Sequence, residues 1–259
     1  MPSERPSRVG PAGMGLPLIS VIVVAAGLIV ALVSGALSGV MNPPATKTVA
    51  VPSISPAKTG TALATLATLA VKGRAPKTGY DRAQFGPAWA DVDHNGCDTR
   101  NDVLRRDLTG YVIKAGTHGC VVLSGTLRDP YTATTIRFVR GQTTSTLVQI
   151  DHVVALYDAW QKGAQQLSAE TRQALANDSL NLLAVDGLAN QRKSDGDAAT
   201  WLPPNKAYRC SYVARQVAVK AKYGLWVTNA ERDALGRILA TCPSQPIPAT
   251  TAFVLGGGS

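Results

Sequence analysis

Acidic side chains are scarce in this sequence, and aromatic residues make up only 5% of it. Of 259 residues, 17 are Asp or Glu and 26 are Lys or Arg, which gives a formal net charge of +9. A basic balance favours polyanionic partners, either nucleic acid or an anionic membrane surface. Because many soluble proteins are also basic, composition alone does not establish nucleic-acid binding.

The sequence has no C-x-x-C pair, which argues against a zinc knuckle or a dithiol redox motif. Its four cysteines lie at positions 97, 120, 210 and 242. An even number of cysteines in a chain with an export signal favours disulfides. We predict the pairs Cys97–Cys120 and Cys210–Cys242, because each bond joins neighbours within one segment. Four buried free thiols are the alternative.

Residues 15–41 contain no charged side chain, and this run exceeds the roughly 20 residues that a helix needs to cross a bilayer. Arg5 and Arg8 precede it and should stay in the cytoplasm, so the rest of the chain should be exported. We predict an uncleaved membrane anchor. The alternative is a cleaved signal peptide, whose apolar region is usually only about 7–15 residues long.

Composition and periodicity divide the chain into five parts. A cytoplasmic terminus at 1–14 and the apolar segment at 15–41 precede a linker at 42–60 that is rich in Pro, Thr, Ala and Ser. The globular domain is predicted at 61–243, followed by a flexible tail at 244–259 that ends in Gly-Gly-Gly-Ser.

The globular part alternates between two patterns. Runs rich in Val, Thr and Ile between positions 111 and 150 predict a small antiparallel sheet, whose last strand should deliver Asp151 and His152. Helical patterns are predicted at 61–71, 168–176, 205–223 and 228–241, the last opening with a capping box from Thr228 to Glu231. The fold class is therefore α+β.

The stretch from 149 to 195 carries the chemistry. Asp151 and His152 end an apolar strand, Asn181 opens a second one, and a turn then leads into a helix that carries Asn190 and Lys193. A neutral imidazole accepts a proton from water near neutral pH, and carboxylate and amide oxygens are hard ligands suited to Mg²⁺. With cations nearby to hold a phosphate, this set is typical of phosphodiester hydrolysis.

These residues resemble the HNH endonuclease family, in the form D-H…N-(x8)-N-x-x-K. The resemblance is closer to actinobacterial secreted HNH proteins, which share a nuclease domain with the C-terminal part of modification-dependent restriction enzymes. It covers roughly residues 70–243 and includes G-R-A-P-K-T-G-Y at 73–80, N-G-C-D-T-R-N-D at 95–102 and W-L-P-P-N-K-A-Y-R-C at 201–210. It implies a ββα-metal nuclease core joined by a small antiparallel sheet and flanking helices.

The resemblance also implies a role for each residue of the motif. His152 would be the general base, and Asp151 and Asn190 would hold one divalent metal, Mg²⁺ in the first place and Mn²⁺ as the alternative. Asn181 would brace the loop that bears the catalytic histidine. Arg192, Lys193 and, less directly, Arg100 would contact phosphate. The implied partner is DNA, with RNA as the alternative, and we expect a monomer.

A second motif lies upstream at 91–102. Asp91, Asp93, Asn95 and Gly96 match the start of an EF-hand calcium loop, and Asp102 stands at the twelfth position, where a bidentate Glu is usual. Two readings therefore compete with a nuclease: a non-catalytic envelope protein that binds nucleic acid, and a surface domain that Ca²⁺ stabilises.

Overall fold

The computed structural model describes residues 59–250, and its described elements form an α+β fold. The helices are α1 (Ala62–Thr68), α2 (Thr99–Asp107), α3 (Leu156–Trp160), α4 (Ala169–Asn177), α5 (Gly187–Lys193), α6 (Arg209–Lys222) and α7 (Asn229–Ala240). The strands are β1 (Leu108–Ile113), β2 (Val122–Arg128), β3 (Thr135–Val139), β4 (Val148–His152) and β5 (Leu182–Asp186). Short 3₁₀ turns include Arg82–Phe85 and Lys206–Tyr208.

The strands form two separate antiparallel sheets. Strands β1, β2 and β3 make a three-stranded sheet in that order, as the sequence predicts, whereas β4 pairs only with β5. The expectation that the strand carrying Asp151 and His152 closes the first sheet is therefore wrong. The physical reason lies in β5, whose residues 182–185 are all buried and whose backbone groups bond to β4 from end to end.

Strands β4 and β5 and helix α5 form a continuous strand–strand–helix unit. Asp151 lies opposite Leu183, and His152 lies opposite Leu182. Helix α5 follows β5 directly because the Asp186 side chain accepts the Ala189 N–H at 2.7 Å and so caps the first turn. Helix α5 starts beside the start of β4, where the Gly187 N–H donates to the Leu147 carbonyl oxygen at 3.0 Å, and its last residue, Lys193, contacts Asp151 near the end of β4 at 2.9 Å.

Helices α1, α6 and α7 pack against this unit and share one hydrophobic cluster with it. The cluster includes Val153, Val185, Tyr212 and Leu235, all fully buried. The predicted Cys210–Cys242 disulfide is present, with a Cα–Cα distance of 6.5 Å, and it fastens the start of α6 to the end of α7. On the chain-entropy model such a bond contributes about 3–4 kcal/mol.

The predicted Cys97–Cys120 disulfide is also present, with a Cα–Cα distance of 5.1 Å. It ties the segment before α2 to the entrance of β2. Helix α2 itself was not expected from the sequence. It begins at Thr99 because the Asp98 side chain accepts the Asn101 N–H at 2.9 Å, a cap within a stretch that otherwise reads as irregular.

Six charged side chains form a closed network inside the domain. Lys162, at 0% exposure, contacts Asp158 at 2.7 Å, Asp197 at 2.7 Å and Glu231 at 2.6 Å. Lys220, also at 0%, lies 2.9 Å from Glu231 and 3.4 Å from Asp158. Arg74 completes the set with contacts to the two aspartates at 2.9 and 2.7 Å. Three cations thus balance three anions, and five of the six side chains are buried.

The two ends of the described range bear on the predicted N-terminal helix and on the predicted end of the domain. The membrane or signal helix at 15–41 lies outside the described residues, and within 59–250 we find no helix with the length and apolarity to cross a bilayer. At the other end, packing continues past the predicted boundary at 243. Gln245 accepts the Ala62 N–H at 2.9 Å, and the Ile247 N–H donates to Gly60 at 3.1 Å.

Candidate active site

One cavity of about 290 Å³ brings together three of the predicted residues. Asp151 and His152 from β4 and Asn190 from α5 all line it. Arg82, Tyr157 and Asp195 are among the other lining residues, and Asp195 adds a second carboxylate that was not predicted. We refer to this space as the Asp151 cavity. Its position follows from the strand–strand–helix unit, which places the end of β4 beside α5.

His152 is held in a single tautomer. Its Nε2 lies 2.9 Å from the carbonyl oxygen of Ala176, and because a carbonyl only accepts, Nε2 carries the proton. The other ring nitrogen, Nδ1, is therefore the proton acceptor. Burial, together with the nearby positive charge of Arg82, lowers the pKa of His152 to about 3. The imidazole is neutral at physiological pH, as a general base must be.

Trp89 packs against His152 in a nearly parallel stack, with ring centroids 6.3 Å apart and an angle of 15° between the planes. Its backbone φ is +60°, a conformation that bulky residues rarely adopt and that tends to occur at functional sites. Trp89 and His152 also line a second cavity of about 250 Å³, with Phe85 and Leu156 among its apolar walls. The imidazole thus separates an apolar cavity from a polar one.

Asp151 is only 5% exposed, and both of its carboxylate oxygens have protein donors. Tyr131 Oη donates to Oδ2 at 2.5 Å, and Lys193 Nζ donates to Oδ1 at 2.9 Å. Burial raises the pKa of Asp151, and Lys193 and Tyr131 oppose that rise. Each carboxylate oxygen has two lone pairs, so these bonds fix the direction of the carboxylate without exhausting its capacity.

The ammonium group of Lys193 bonds to other protein groups and does not face a site for phosphate. Its side chain is fully buried, and Nζ donates to Asp151 and to the backbone oxygen of His152, each at 2.9 Å. To contact a phosphate directly, the ammonium group would have to leave Asp151. The contacts in hand make Lys193 a positioning residue for the end of β4.

Asn181 is fully buried and bonds to the segment that follows His152. Its Oδ1 accepts the Val154 N–H at 2.8 Å, and its Nδ2 donates to the carbonyl oxygens of Val154 and Leu175 at 3.3 and 3.2 Å. These bonds join α4, β5 and the end of β4. The contacts correspond to the bracing role that the resemblance implies for Asn181.

Asn190 is half-buried, and its amide is oriented by one bond. Nδ2 donates to Gln149 Oε1 at 2.9 Å, which turns the NH₂ group toward β4. No protein donor from the described residues bonds to its Oδ1. Because Asn190 lines the Asp151 cavity, this oxygen is a suitable hard ligand there.

A third cavity, of about 540 Å³, adjoins the first and is basic. The basic residues that line it are Arg74, Lys77, Arg192 and Lys193, and it shares Tyr157, Ser194 and Asp195 with the Asp151 cavity. We refer to it as the basic cavity. Arg74 and Lys77 belong to the 73–80 motif of the sequence analysis, so that motif supplies part of the wall.

Arg100, a predicted phosphate contact, lies away from the Asp151 cavity. It is half-buried on α2 and is not among the residues that line these three cavities. Burial and the neighbouring Arg140 lower the pKa of its guanidinium. The structure therefore does not bring Arg100 to the residues around Asp151.

The donor set near Asp151 suits a hard cation with few protein ligands. No group of three or more His, Cys, Asp and Glu side chains in residues 59–250 is arranged to hold a metal ion. Mg²⁺ does not need one, since it keeps several waters and binds through one or two carboxylates or amides. A carboxylate, an amide oxygen and Asp195 around one cavity are compatible with that coordination.

Two comparisons with known proteins agree with this geometry. Residues 98–238 match the family described as GmrSD restriction endonucleases, C-terminal domain. An "uncharacterized secreted protein" of the fungus Arthroderma benhamiae is 38% identical over 193 residues, which cover 74% of this chain and 88% of that protein. The chain belongs to the family of GmrSD restriction endonuclease C-terminal domains, which are of the HNH type, and the resemblance seen in the sequence is confirmed.

Proposed function

We propose that this chain is a metal-dependent HNH endonuclease that hydrolyses phosphodiester bonds of DNA. One observation carries the proposal. Asp151, His152 and Asn190, which are 39 positions apart at the extremes, line a single cavity at the end of the β4–β5–α5 unit. Family membership supports a nuclease, and the basic cavity beside this site supports a polyanionic substrate.

His152 is the proposed general base. Its protonated Nε2 is fixed by Ala176, so Nδ1 is left to accept a proton from the water that attacks phosphorus. Its lowered pKa keeps it in the neutral form over the physiological range. Asn181 holds the backbone just after His152 and would preserve the angle of the ring.

Asp151 and Asn190 are the proposed ligands of a divalent ion, Mg²⁺ or Mn²⁺. A bound ion would supply electrostatic stabilisation for the negative charge that develops on the leaving oxygen. Lys193 and Tyr131 orient the Asp151 carboxylate, and Gln149 orients the Asn190 amide. Removing a hydrogen bond of this kind, made to a metal ligand, commonly lowers metal affinity by about 10–100-fold.

The proposed substrate path runs over the basic cavity. Arg192 and Lys77 are exposed there, whereas Arg74 is largely neutralised by its two aspartates. We propose that Arg192 and Lys77 contact the phosphates that flank the scissile bond. Arg100 would act on a more distant part of the substrate. RNA is the alternative substrate because these contacts do not distinguish the two sugars.

We also propose that the protein works outside the cytoplasm, as a monomer. Two disulfides and a relative described as secreted support export. Whether residues 15–41 anchor the chain or are removed stays a prediction. A cytoplasmic restriction role fits these disulfides poorly, since the cytosol keeps thiols reduced.

A plasmid nicking assay tests the proposal. The purified, oxidised protein is expected to nick DNA with Mg²⁺ or Mn²⁺ and not with EDTA. His152→Ala should reduce the rate by about 10²–10⁴-fold at an unchanged circular dichroism spectrum. His118→Asn is the matched control, because His118 is exposed, has φ of +51° and lines none of the three cavities.

The same experiment separates the rival function. A non-catalytic envelope protein would bind the plasmid with a steep dependence on salt and leave it intact in every metal. Nicking at the wild-type rate by His152→Ala would remove the proposed mechanism. Cleavage of RNA in preference to DNA would keep the mechanism and change the substrate.

A further inference from the structure

The loop at 91–102 is not used by the proposed nuclease mechanism, yet it has an unusual content of oxygen side chains. Asp91, Asp93, Asn95 and Asp102 stand at the first, third, fifth and twelfth positions, and Gly96 stands at the sixth. These are the side-chain ligand positions and the glycine of an EF-hand calcium loop.

The backbone of this loop also has features of an EF-hand loop. Gly96 has φ of +86°, and its N–H donates to Asp91 Oδ2 at 2.9 Å, which closes the turn onto the first residue. The Asn95 N–H donates to the other oxygen of Asp91 at 3.1 Å. Helix α2 then begins at Thr99, the ninth position, so Asp102 projects from its first turn. No α-helix leads directly into the loop: between the end of α1 at Thr68 and residue 91, the described chain has only the 3₁₀ turn Arg82–Phe85, so the loop is half of an EF-hand.

A second and independent observation concerns Asp102. The residue is only 4% exposed, and its Oδ2 is buried without a hydrogen-bond partner from the described residues. The Asn95 side chain hydrogen-bonds to the Asp102 carboxyl group, and the charge of Asp93 acts on the same group. Those two neighbours place the carboxyl group against the loop. A buried carboxylate oxygen with acidic neighbours and no donor is unfavourable unless a cation compensates it.

We propose that the 91–102 loop is a Ca²⁺ site that stabilises the fold and is separate from the catalytic metal site. Its side-chain ligands are Asp91, Asp93, Asn95 and Asp102, and the backbone oxygen of Cys97 occupies the seventh position.

Binding requires small rearrangements that the loop permits. Asn95 Nδ2 now donates to Asp93 Oδ2 at 3.1 Å, and a half-turn of the amide would present its oxygen instead, at the cost of the bond that Oδ1 accepts from the Cys97 N–H at 2.8 Å. Asp93 is exposed and is therefore not held by packing. The loop is also anchored without the ion, because the Cys97–Cys120 disulfide fixes its seventh residue. No preassembled cluster of three acidic ligands exists in residues 59–250, so affinity should be modest.

The expected affinity follows from the departures from a complete EF-hand. Asp102 replaces the longer bidentate Glu, and the entering helix is missing. Both changes favour the range of extracellular modules, with Kd on the order of 10⁻⁴–10⁻³ M. Such a site would be filled outside the cell, where the disulfides also place the protein.

Thermal unfolding of the whole oxidised protein tests the site. At Ca²⁺ of about ten times Kd, Tm is expected to rise by about 3–6 °C over the value in EDTA, and calorimetric titration should give one ion per chain. Mg²⁺ at the same concentration should give a smaller rise.

Two variants make the test specific. Asp93→Asn and Asp102→Asn should each remove most of the Ca²⁺-dependent rise. Asp102→Asn should nonetheless fold, because it replaces an uncompensated buried charge by a neutral side chain of the same shape, and its Tm in EDTA should match or exceed that of the wild type. Asn190→Ala should keep the full rise.

Two results would overturn the proposal. One is a Ca²⁺ shift that survives in both loop variants and disappears in Asn190→Ala, which would assign the ion to the Asp151 cavity. The other is the absence of a shift at 10 mM Ca²⁺, roughly ten times the weakest expected Kd. Because the readout is stability, neither result depends on whether the protein cleaves DNA.

Discussion

Two regions of the molecule hold charged groups away from water, and they differ in how much of the bonding capacity of those groups is already used by protein partners. In the network around Lys162, three cations and three carboxylates contact one another, and every member except Arg74 is buried. Around Asp151, Lys193 and Tyr131 occupy part of the carboxylate, but the group still lines a cavity. The first arrangement is saturated and structural. The second is oriented and open, which is the condition for chemistry.

The largest effect is expected in the saturated region. Lys162→Met would leave Asp158, Asp197 and Glu231 without their shared cation and should destabilise the fold by about 3–5 kcal/mol in urea unfolding. The control is the exposed Arg232–Asp233 pair, 3.0 Å apart, where Arg232→Met should change stability by less than about 0.5 kcal/mol. Equal losses at the two sites would mean that burial of the network does not matter.

Lys193 tests this comparison directly, because it is buried like the Lys162 network and also contacts a residue that lines the Asp151 cavity. Lys193→Met should raise the Mg²⁺ concentration for half-maximal nicking by about 10–100-fold, in addition to lowering stability. The assay is run well below both melting temperatures, with the exposed variant Arg232→Met as the control. If only stability falls, Lys193 is one more structural cation.

Acid should affect the saturated region in a defined direction. Although burial opposes it, the charges of Lys220 and Lys162 hold the pKa of Asp158 below its ordinary value. A lowered folded pKa contributes stability above the unfolded value, about 3.9, and that stability is lost as pH falls through the folded pKa. The free energy of unfolding should therefore drop below about pH 4. The exposed variant Asp233→Asn should show the same drop, whereas a flat profile would contradict the linkage.

The smallest effect is expected at the surface of the open region. Lys77→Ala and Arg192→Ala should each weaken DNA binding about equally across sequences and reduce the slope of log K against log salt by about 1. Filter binding over a range of salt concentrations measures this, with Arg232→Ala as the control. An unchanged slope in both variants would move the substrate path away from the basic cavity.

The sequence predicted best where function or covalent chemistry left a local pattern. Asp151, His152 and Asn190 fall on the strand and the helix expected of them, Asn181 immediately precedes β5, and both disulfide pairs are confirmed. Strand, turn and helix are close together in the chain at 182–193, so short-range patterns suffice there. The metal, the substrate contacts and the membrane segment stay predictions.

What escaped prediction depends on contacts between distant segments. Of the partners of Lys162, Asp158 lies four positions earlier, a helical spacing, but Asp197 and Glu231 come from distant segments that no periodicity links to it. For the same reason, the burial of Lys193 was not foreseen, since only the fold reveals that Asp151 lies 2.9 Å away. Helix α2 was missed because the residues before it resemble an irregular loop, although Asp98 is a good capping signal.

The neutrality of the Lys162 network has a consequence for how this domain diversifies. Removing any single member exposes an unbalanced charge in the interior, whereas exchanging an acid and a base together for apolar side chains of similar volume does not. Positions 158, 162, 197, 220 and 231 should therefore change in concert among relatives, with intermediates that carry one substitution being rare. A lineage that lost the network would have replaced its acidic and basic residues in pairs.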